Sequence, residues 1–124
     1  MSKALVVDDS RALRMILART VRQLGYEVEE AENGVRALQI LNSQPNDWAL
    51  ALVDWNMPEM NGMDLLQRLR ADTRFRSTAI VMVTTETEVD HMSAALQAGA
   101  NEYIMKPFTP DILREKLALI GIGC

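Results

Sequence analysis

The chain contains 124 residues, 48% of them hydrophobic and 24% charged, which is typical of one soluble globular domain with a single core. Its formal net charge of −4 argues against direct binding of nucleic acid, for which a basic patch is expected. No apolar run approaches the ~20 residues that span a bilayer, and the one cysteine, Cys124, excludes an internal disulfide, so we expect a cytoplasmic protein.

Short apolar runs alternate with segments of helical periodicity along the chain. The predicted strands cover residues 4–7, 27–31, 49–53, 79–83 and 101–105. The second run alternates weakly, as edge strands do, whereas the first, third and fourth are apolar throughout, as strands buried on both faces are. Residues 72–78 are predicted to form an exposed loop, with Arg74 and Arg76 in solvent.

Each apolar run is followed by a predicted helix with a start or stop signal. Ser10 and Asn33 precede the first two helices as caps, Gly25 ends the first, and Thr109 caps the last. Gly62 is predicted to lie in the loop before the third helix. The residues predicted to face the core are Leu13, Ile16, Leu17, Val21, Leu24, Val35, Leu38, Leu41, Leu65, Leu66, Leu69, Val89, Met92, Leu96, Ile112, Leu113, Leu117 and Ile120.

The order strand–helix, repeated five times, predicts an α/β protein. We expect a (βα)5 fold in which helices cover both faces of a doubly wound, five-stranded parallel sheet. Right-handed crossovers and short connections leave few ways to wind such a sheet. The carboxyl ends of parallel strands share one edge, where open α/β sheets bind their ligands. Side chains that follow the runs are therefore predicted to meet in one pocket.

The residues after four of the runs can bind a hard cation or a phosphate. Asp8 and Asp9 follow the first run, Asp54 the third, Thr84 the fourth and Lys106 the last. Three clustered carboxylates repel one another unless a cation neutralises them, and their oxygens favour Mg²⁺ over Zn²⁺, which prefers Cys and His. The Lys106 ammonium and the Thr84 hydroxyl can bind phosphate oxygens. Asp54 is the best candidate for a nucleophile toward phosphorus because it ends its run alone.

These motifs resemble those of the bacterial response-regulator receiver domain. They are Leu-Val-Val-Asp-Asp-Ser at 5–10, Asp-Trp-Asn-Met-Pro at 54–58 and Lys-Pro-Phe at 106–108. The resemblance extends over nearly the whole chain, and residues 54–58 and 98–100 are most similar to the single-domain chemotaxis regulators of the family. It implies a single receiver domain over residues 1–124 with the flavodoxin-like strand order 2-1-3-4-5.

The resemblance also implies a chemical role for each residue of the pocket. Asp54 is expected to accept a phosphoryl group from a phosphohistidine of a sensor histidine kinase. Asp8, Asp9 and Asp54 are expected to hold Mg²⁺, one of the first two through water, together with the backbone carbonyl of Asn56. Lys106 is expected to bind the phosphoryl oxygens and to form a cis peptide bond with the proline that follows it.

Phosphorylation in this family reshapes a protein surface. Thr84 is expected to move toward the phosphate and Tyr103 to change rotamer, which alters the surface of the fourth helix, the last strand and the fifth helix. Asn56, Thr85 and Glu86 lie where the family tunes the lifetime of the phosphoryl group. Asn56 and Glu86 match the chemotaxis regulators, whereas Thr85 departs from the Ala or Gly that is frequent there.

The implied function is two-component signal transduction, with no enzymatic activity beyond self-catalysed phosphotransfer and autodephosphorylation. The implied partners are a sensor histidine kinase, with a chemotaxis-type kinase as one candidate, and a downstream protein for which the flagellar motor switch is the candidate. The protein itself would be a monomer or an activation-dependent dimer. Glu88 and Asp90 give the fourth helix an acidic start where the chemotaxis regulators are basic, which weighs against binding to the motor.

Three alternatives remain open from the sequence. The chain could be a phosphate sink that drains a kinase without an output of its own, or a receiver excised from a longer regulator. It could also be a Mg²⁺-dependent phosphohydrolase that uses an aspartyl phosphate. The last alternative is less favoured because phosphohydrolases of the haloacid-dehalogenase type need an Asp where this chain has Asn56.

Overall fold

The structure is a computed structural model that describes residues 2–44, 47–57, 59–85 and 89–122, with only the backbone of Thr85, Val89 and His91. The strands are β1 (Lys3–Val7), β2 (Glu27–Ala31), β3 (Trp48–Asp54), β4 (Ala79–Thr85) and β5 (Glu102–Lys106). The helices are α1 (Arg11–Gln23), α2 (Gly34–Ser43), α3 (Gly62–Ala71), α4 (Val89–Gln97) and α5 (Pro110–Leu119). Within the described ranges, no helix is both long enough and apolar enough to cross a bilayer.

The five strands form one sheet in the order β2-β1-β3-β4-β5, and all neighbouring strands are parallel. This confirms the predicted doubly wound α/β fold and its strand order. Successive side chains of a strand point to opposite faces, so Leu5 and Val7 join one core while Ala4 and Val6 join the other. Helices α1 and α5 pack on the second of these faces, and α2, α3 and α4 pack on the first.

The three predicted N-terminal caps are present in the structure, and a further helix has a cap that was not predicted. The Ser10 hydroxyl accepts the Leu13 N–H, and the side chains of Asn33 and Thr109 accept in the same way at the start of α2 and α5. Asn61 caps α3, which the sequence analysis did not predict. The predicted loop position of Gly62 is wrong, because Gly62 is the first residue of α3.

Four apolar residues that were predicted to face the core are exposed instead. Ile16, Val35, Leu96 and Ile112 are between 41% and 45% exposed. The positions that contact the sheet include small residues that the sequence analysis passed over, namely Ala18, Ala37 and Ala95, each fully buried. A helix that lies close against a sheet needs small side chains at the line of contact, so its larger apolar neighbours rotate toward the rim.

The predicted exposed loop at residues 72–78 is wrong in part. Residues Thr73–Phe75 form a short 3-10 helix, and the Phe75 ring is 2% exposed. Thr78 is also buried, and its hydroxyl donates to the Trp48 carbonyl at 2.7 Å. Arg74 is exposed as predicted, but it forms an ion pair with Asp72 at 2.7 Å. The segment therefore closes one end of the core.

Arg70 of α3 joins three segments near the amino ends of the last two strands. Its guanidinium donates to the Gly99 carbonyl at 2.8 Å, the Phe75 carbonyl at 2.9 Å and Asn101 Oδ1 at 2.7 Å. We expect Arg70→Met to lower the free energy of unfolding by about 2–4 kcal/mol, because it removes three hydrogen bonds from a charged donor. The Phe75 carbonyl and Asn101 Oδ1 each keep one other donor, the N–H of Thr78 and of Ile80 respectively. Urea denaturation measures the loss, and Arg68→Met on the exposed side of α3 is the control. Equal stability of the two variants would contradict the prediction.

Candidate functional site

The three predicted carboxylates meet at the carboxyl edge of the sheet. Asp8 follows β1 directly, Asp9 comes next, and Asp54 is the last residue of β3. One carboxylate oxygen from each residue lies within 4.8 Å of the others. Asp8 and Asp54 are 0% and 2% exposed, whereas Asp9 is exposed. The neighbouring strands β1 and β3 bring these residues together because they are parallel and in register up to Val7 and Val53.

Lys106 reaches the carboxylates from the edge strand β5, which β4 separates from β3. Its ammonium donates to Asp54 Oδ1 at 3.0 Å and lies 3.7 Å from Asp8 Oδ2. Lys106 ends β5, and its peptide bond to Pro107 is cis, as the resemblance implied. Thr84 is buried on β4, one residue beyond the position that pairs with Asp54. The edge thus carries the carboxylates, the ammonium and the hydroxyl that the sequence predicts.

Burial controls the protonation of the two inner carboxylates. It raises the pKa of Asp54 to about 6, although the Lys106 hydrogen bond opposes the rise and the nearby Asp8 adds to it. Burial also raises the pKa of Asp8, against the Ser10 N–H at 2.8 Å and the Lys106 ammonium. One lysine therefore only partly neutralises the charge of the cluster.

The arrangement fits a hard divalent cation. Asp8 Oδ2 is completely buried and, among the described residues, accepts no hydrogen bond. The Lys106 ammonium, 3.7 Å away, lies beyond hydrogen-bond distance of this oxygen. Burying a carboxylate oxygen that accepts no hydrogen bond is costly unless a cation lies against it. Three carboxylates without histidine or cysteine are the ligands that Mg²⁺ prefers. We conclude that Asp8, Asp9 and Asp54 fit a Mg²⁺ ion.

Glycine allows α3 to start directly behind Asp54. A Cβ on Gly62 would lie 2.5 Å from the Asp54 carbonyl oxygen and 2.9 Å from the Trp55 Cα. The Gly62 N–H donates to the Trp55 carbonyl at 2.9 Å, and the Trp55 N–H donates to Val83 on β4 at 2.9 Å. No sequence pattern marks this role of Gly62, because the close approach depends on how the chain turns between β3 and α3 and not on residue spacing.

The other predicted residues differ in how far the structure describes them. Asn56 is exposed in the segment that follows β3. Tyr103 is half-buried on β5, and the Lys116 ammonium lies 4.7 Å from the centre of its ring. The backbone of Thr85 ends β4, whereas Glu86 lies outside the described residues.

Comparison of sequences identifies close relatives of this chain. The family model of the response regulator receiver domain matches residues 4–118. The chain is 50% identical over 119 residues to chemotaxis protein CheY1 of Helicobacter pylori, covering 95% of both chains. It is 46% identical over 123 residues to a chemotaxis protein CheY homolog of Campylobacter jejuni, covering 98% of this chain and 94% of the relative.

Comparison of structures gives the same result. Chemotaxis protein CheY4 of Vibrio cholerae is similar with a TM-score of 0.86 and 34% identity, over 97% of this chain and 98% of that one. A probable two-component system response regulator/GGDEF domain protein has a TM-score of 0.88 and 31% identity, and this chain covers 48% of its length. A domain of this shape therefore occurs both alone and within longer chains. The fold, the acidic edge and the relatives agree, and the chain belongs to the response regulator receiver domain family.

Proposed function

We propose that this chain is a phosphorylation-dependent signalling switch in which Asp54 accepts a phosphoryl group from the phosphohistidine of a sensor histidine kinase. The observation that carries the proposal is the position of Asp54, which is buried at the edge of the sheet between the Lys106 ammonium at 3.0 Å and the Asp8–Asp9 pair. A nucleophile for phosphorus needs this combination of a fixed carboxylate and nearby positive charge.

The residues around Asp54 have separate tasks in this reaction. With a pKa of about 6, Asp54 is mostly ionised at neutral pH and can attack phosphorus. Lys106 and the Thr84 hydroxyl can bind the phosphoryl oxygens after transfer. Asp8, Asp9, Asp54 and the Asn56 carbonyl would hold Mg²⁺, which when bound supplies charge neutralisation for the phosphoryl group.

The proposed output is a change in the surface formed by α4, β5 and α5. Tyr103 contacts Lys116 of α5, and the Lys116 ammonium also lies 3.7 Å from Glu102. A change of the Tyr103 rotamer would break the first contact and so alter this surface. Because the relatives above are chemotaxis proteins, we propose a chemotaxis-type kinase and a flagellar motor switch component as the first partners to test.

The proposal is tested by intact-mass measurements of the protein with a small acyl phosphate, with Mg²⁺ or with EDTA. We expect a single phosphoryl adduct that forms only with Mg²⁺ and decays with time. Rapid turnover of small phosphomonoesters would instead favour a phosphohydrolase. If no candidate target binds the phosphorylated form more tightly, a phosphate sink becomes the better reading.

Stabilisation by Mg²⁺ should increase with pH. Since burial raises the pKa of Asp54 to about 6, ionised Asp54 is disfavoured in the folded state, and its contribution to stability in EDTA is lost as the pH rises from about 4 to about 6. Mg²⁺ binds the ionised carboxylates and competes with protons. We therefore expect a larger Mg²⁺-induced rise in Tm at about pH 8 than at about pH 5. Thermal unfolding measures both, and equal rises would contradict the prediction.

A further inference from the structure

Arg14 connects the acidic edge to the outermost strand of the sheet. It is the fourth residue of α1, and its side chain is 15% exposed. Its Nη1 donates to the main-chain carbonyl oxygen of Asp8 at 2.8 Å, and its Nε donates to Glu30 Oε1 on β2 at 3.3 Å. The guanidinium therefore links the Asp8–Asp9 segment to the Glu30 carboxylate on β2. Neither the sequence motifs nor the proposed reaction gives Arg14 a task.

The bond to the Asp8 carbonyl fixes the direction of Asp9. A peptide group is planar, so holding the Asp8 oxygen also holds the nitrogen and Cα of Asp9. The amide of Asp8 is already tied to the Ala31 carbonyl at 3.1 Å, and Asp8 Oδ1 accepts the Ser10 N–H at 2.8 Å. The Arg14 bond thus adds a further constraint, on the peptide group that joins Asp8 to Asp9. Without this bond, the exposed Asp9 side chain would adopt more orientations. Its carboxylate would then lie less often close enough to that of Asp8 for both to bind one cation.

We propose that Arg14, held in place by Glu30, is a positioning residue that aligns Asp8 and Asp9 and thereby sets the affinity of the site for Mg²⁺. This inference rests on the metal site of the proposed function. Groups behind metal ligands that fix their orientation change metal affinity about 10–100-fold when they are removed. Because the bond from Arg14 to Asp8 goes to the main-chain oxygen and not to the carboxylate, Arg14 can align Asp8 and Asp9 without competing for their ligand atoms.

The direction in which Mg²⁺ affinity changes when Arg14 is replaced distinguishes a positioning role from a purely electrostatic effect. Arg14 carries a positive charge close to a site for a cation, so by Coulomb's law alone its removal should strengthen Mg²⁺ binding. If alignment of Asp8 and Asp9 dominates, removal should weaken binding. A lysine keeps the charge but cannot bind the Asp8 carbonyl and Glu30 with the fixed fork of a guanidinium.

Arg22 provides a matched control on the same helix. Its Nη2 lies 3.4 Å from Glu30 Oε2 and 3.5 Å from the Val28 carbonyl. It therefore has the same charge and the same acidic partner as Arg14, and none of its hydrogen bonds goes to Asp8. An effect of losing a contact to Glu30 should appear in Arg22→Met as well. The effect of losing the charge should be smaller there, because Arg22 lies further along α1 and its side chain is 53% exposed, against 15% for Arg14.

The experiment measures the Mg²⁺ dissociation constant from the rise in Tm across Mg²⁺ titrations, and the free energy of unfolding separately in EDTA. We expect about 10-fold weaker binding in Arg14→Met, a smaller weakening in Arg14→Lys and Glu30→Gln, and wild-type or slightly tighter binding in Arg22→Met. The double variant R14M/E30Q should bind no more weakly than R14M, because both changes break the same link.

Wild-type or tighter binding in Arg14→Met overturns the inference, and so does an equal loss in Arg22→Met. If Arg14→Met does not fold, Arg14→Lys and Glu30→Gln carry the same test, and wild-type affinity in both of them overturns it. Failure of the wild-type protein to bind Mg²⁺ would remove the proposed metal site together with this inference. Mg²⁺ binding by the wild type with no change in the Arg14 variants would remove the inference alone.

Discussion

The Asp54→Asn variant is expected to form no phosphoryl adduct with an acyl phosphate and Mg²⁺, a loss of at least about 1,000-fold in rate. Asparagine has nearly the same shape as aspartate, so the fold and the hydrogen bond from Lys106 can persist. Its amide oxygen, however, carries no charge and is a poor nucleophile toward phosphorus. Intact-mass spectrometry over time compares the variant with the wild-type protein under identical conditions.

Asp64→Asn is the matched control for this experiment. Asp64 lies in the first turn of α3, which Asn61 caps; it is exposed and, within the part of the chain that the structure describes, belongs to no cluster that could hold a metal ion. We expect wild-type adduct formation in this control. An adduct of unchanged yield on Asp54→Asn would show that another group is the acceptor, and Asp8 and Asp9 would then be the next carboxylates to replace.

Gly62→Ala is expected to lower the free energy of unfolding by about 2 kcal/mol or more. Overpacking costs about 1–3 kcal/mol, and here the added Cβ meets main-chain atoms that cannot rotate away, at 2.5 Å from the Asp54 oxygen. The gain in helix propensity from Gly to Ala offsets at most about 1 kcal/mol. Because the displaced atoms belong to Asp54 and Trp55, we also expect weaker Mg²⁺ binding. Urea denaturation and Mg²⁺ titration measure the two effects.

Gly34→Ala is a close control because Gly34 also follows a capping asparagine and also begins a helix. The three atoms nearest to a Cβ at Gly34 would all belong to the side chain of Met60, with its sulfur at 2.9 Å. A methionine side chain is flexible and can move aside, so we expect a change of less than about 1 kcal/mol. Equal destabilisation by the two alanines would mean that the close approach behind Asp54 is not what requires glycine.

The local sequence predicted the elements that depend on local physics. Uninterrupted apolar runs predicted the buried strands, and Ser10, Asn33 and Thr109 marked helix starts because a capping side chain acts only on the next few residues. The strand ends also predicted the meeting of Asp8, Asp54 and Lys106, since parallel strands must end at one edge. The strand order itself came from the resemblance, because several windings are compatible with the same alternation of elements.

Periodicity did not predict which apolar residues would contact the sheet. Ile16, Val35, Leu96 and Ile112 fit the helical spacing but are exposed, while alanines occupy the line of contact. An apolar stripe on a helix is about 100° wide, so the pattern leaves the rotation of the helix open. Packing against the sheet decides that rotation by the sizes of the side chains that meet.

The sequence by itself therefore determined the class of fold and the chemical groups of the site, because apolar runs, caps and strand ends are local or follow from one shared edge. Only the tertiary structure decided how those groups are supported. The bond from Arg14 to the Asp8 carbonyl and the closeness of Gly62 to Asp54 span only a few residues along the chain, but each depends on the direction in which the chain leaves its strand and enters the next helix. Contacts of this kind depend on the three-dimensional distance between elements, which no spacing along the chain specifies.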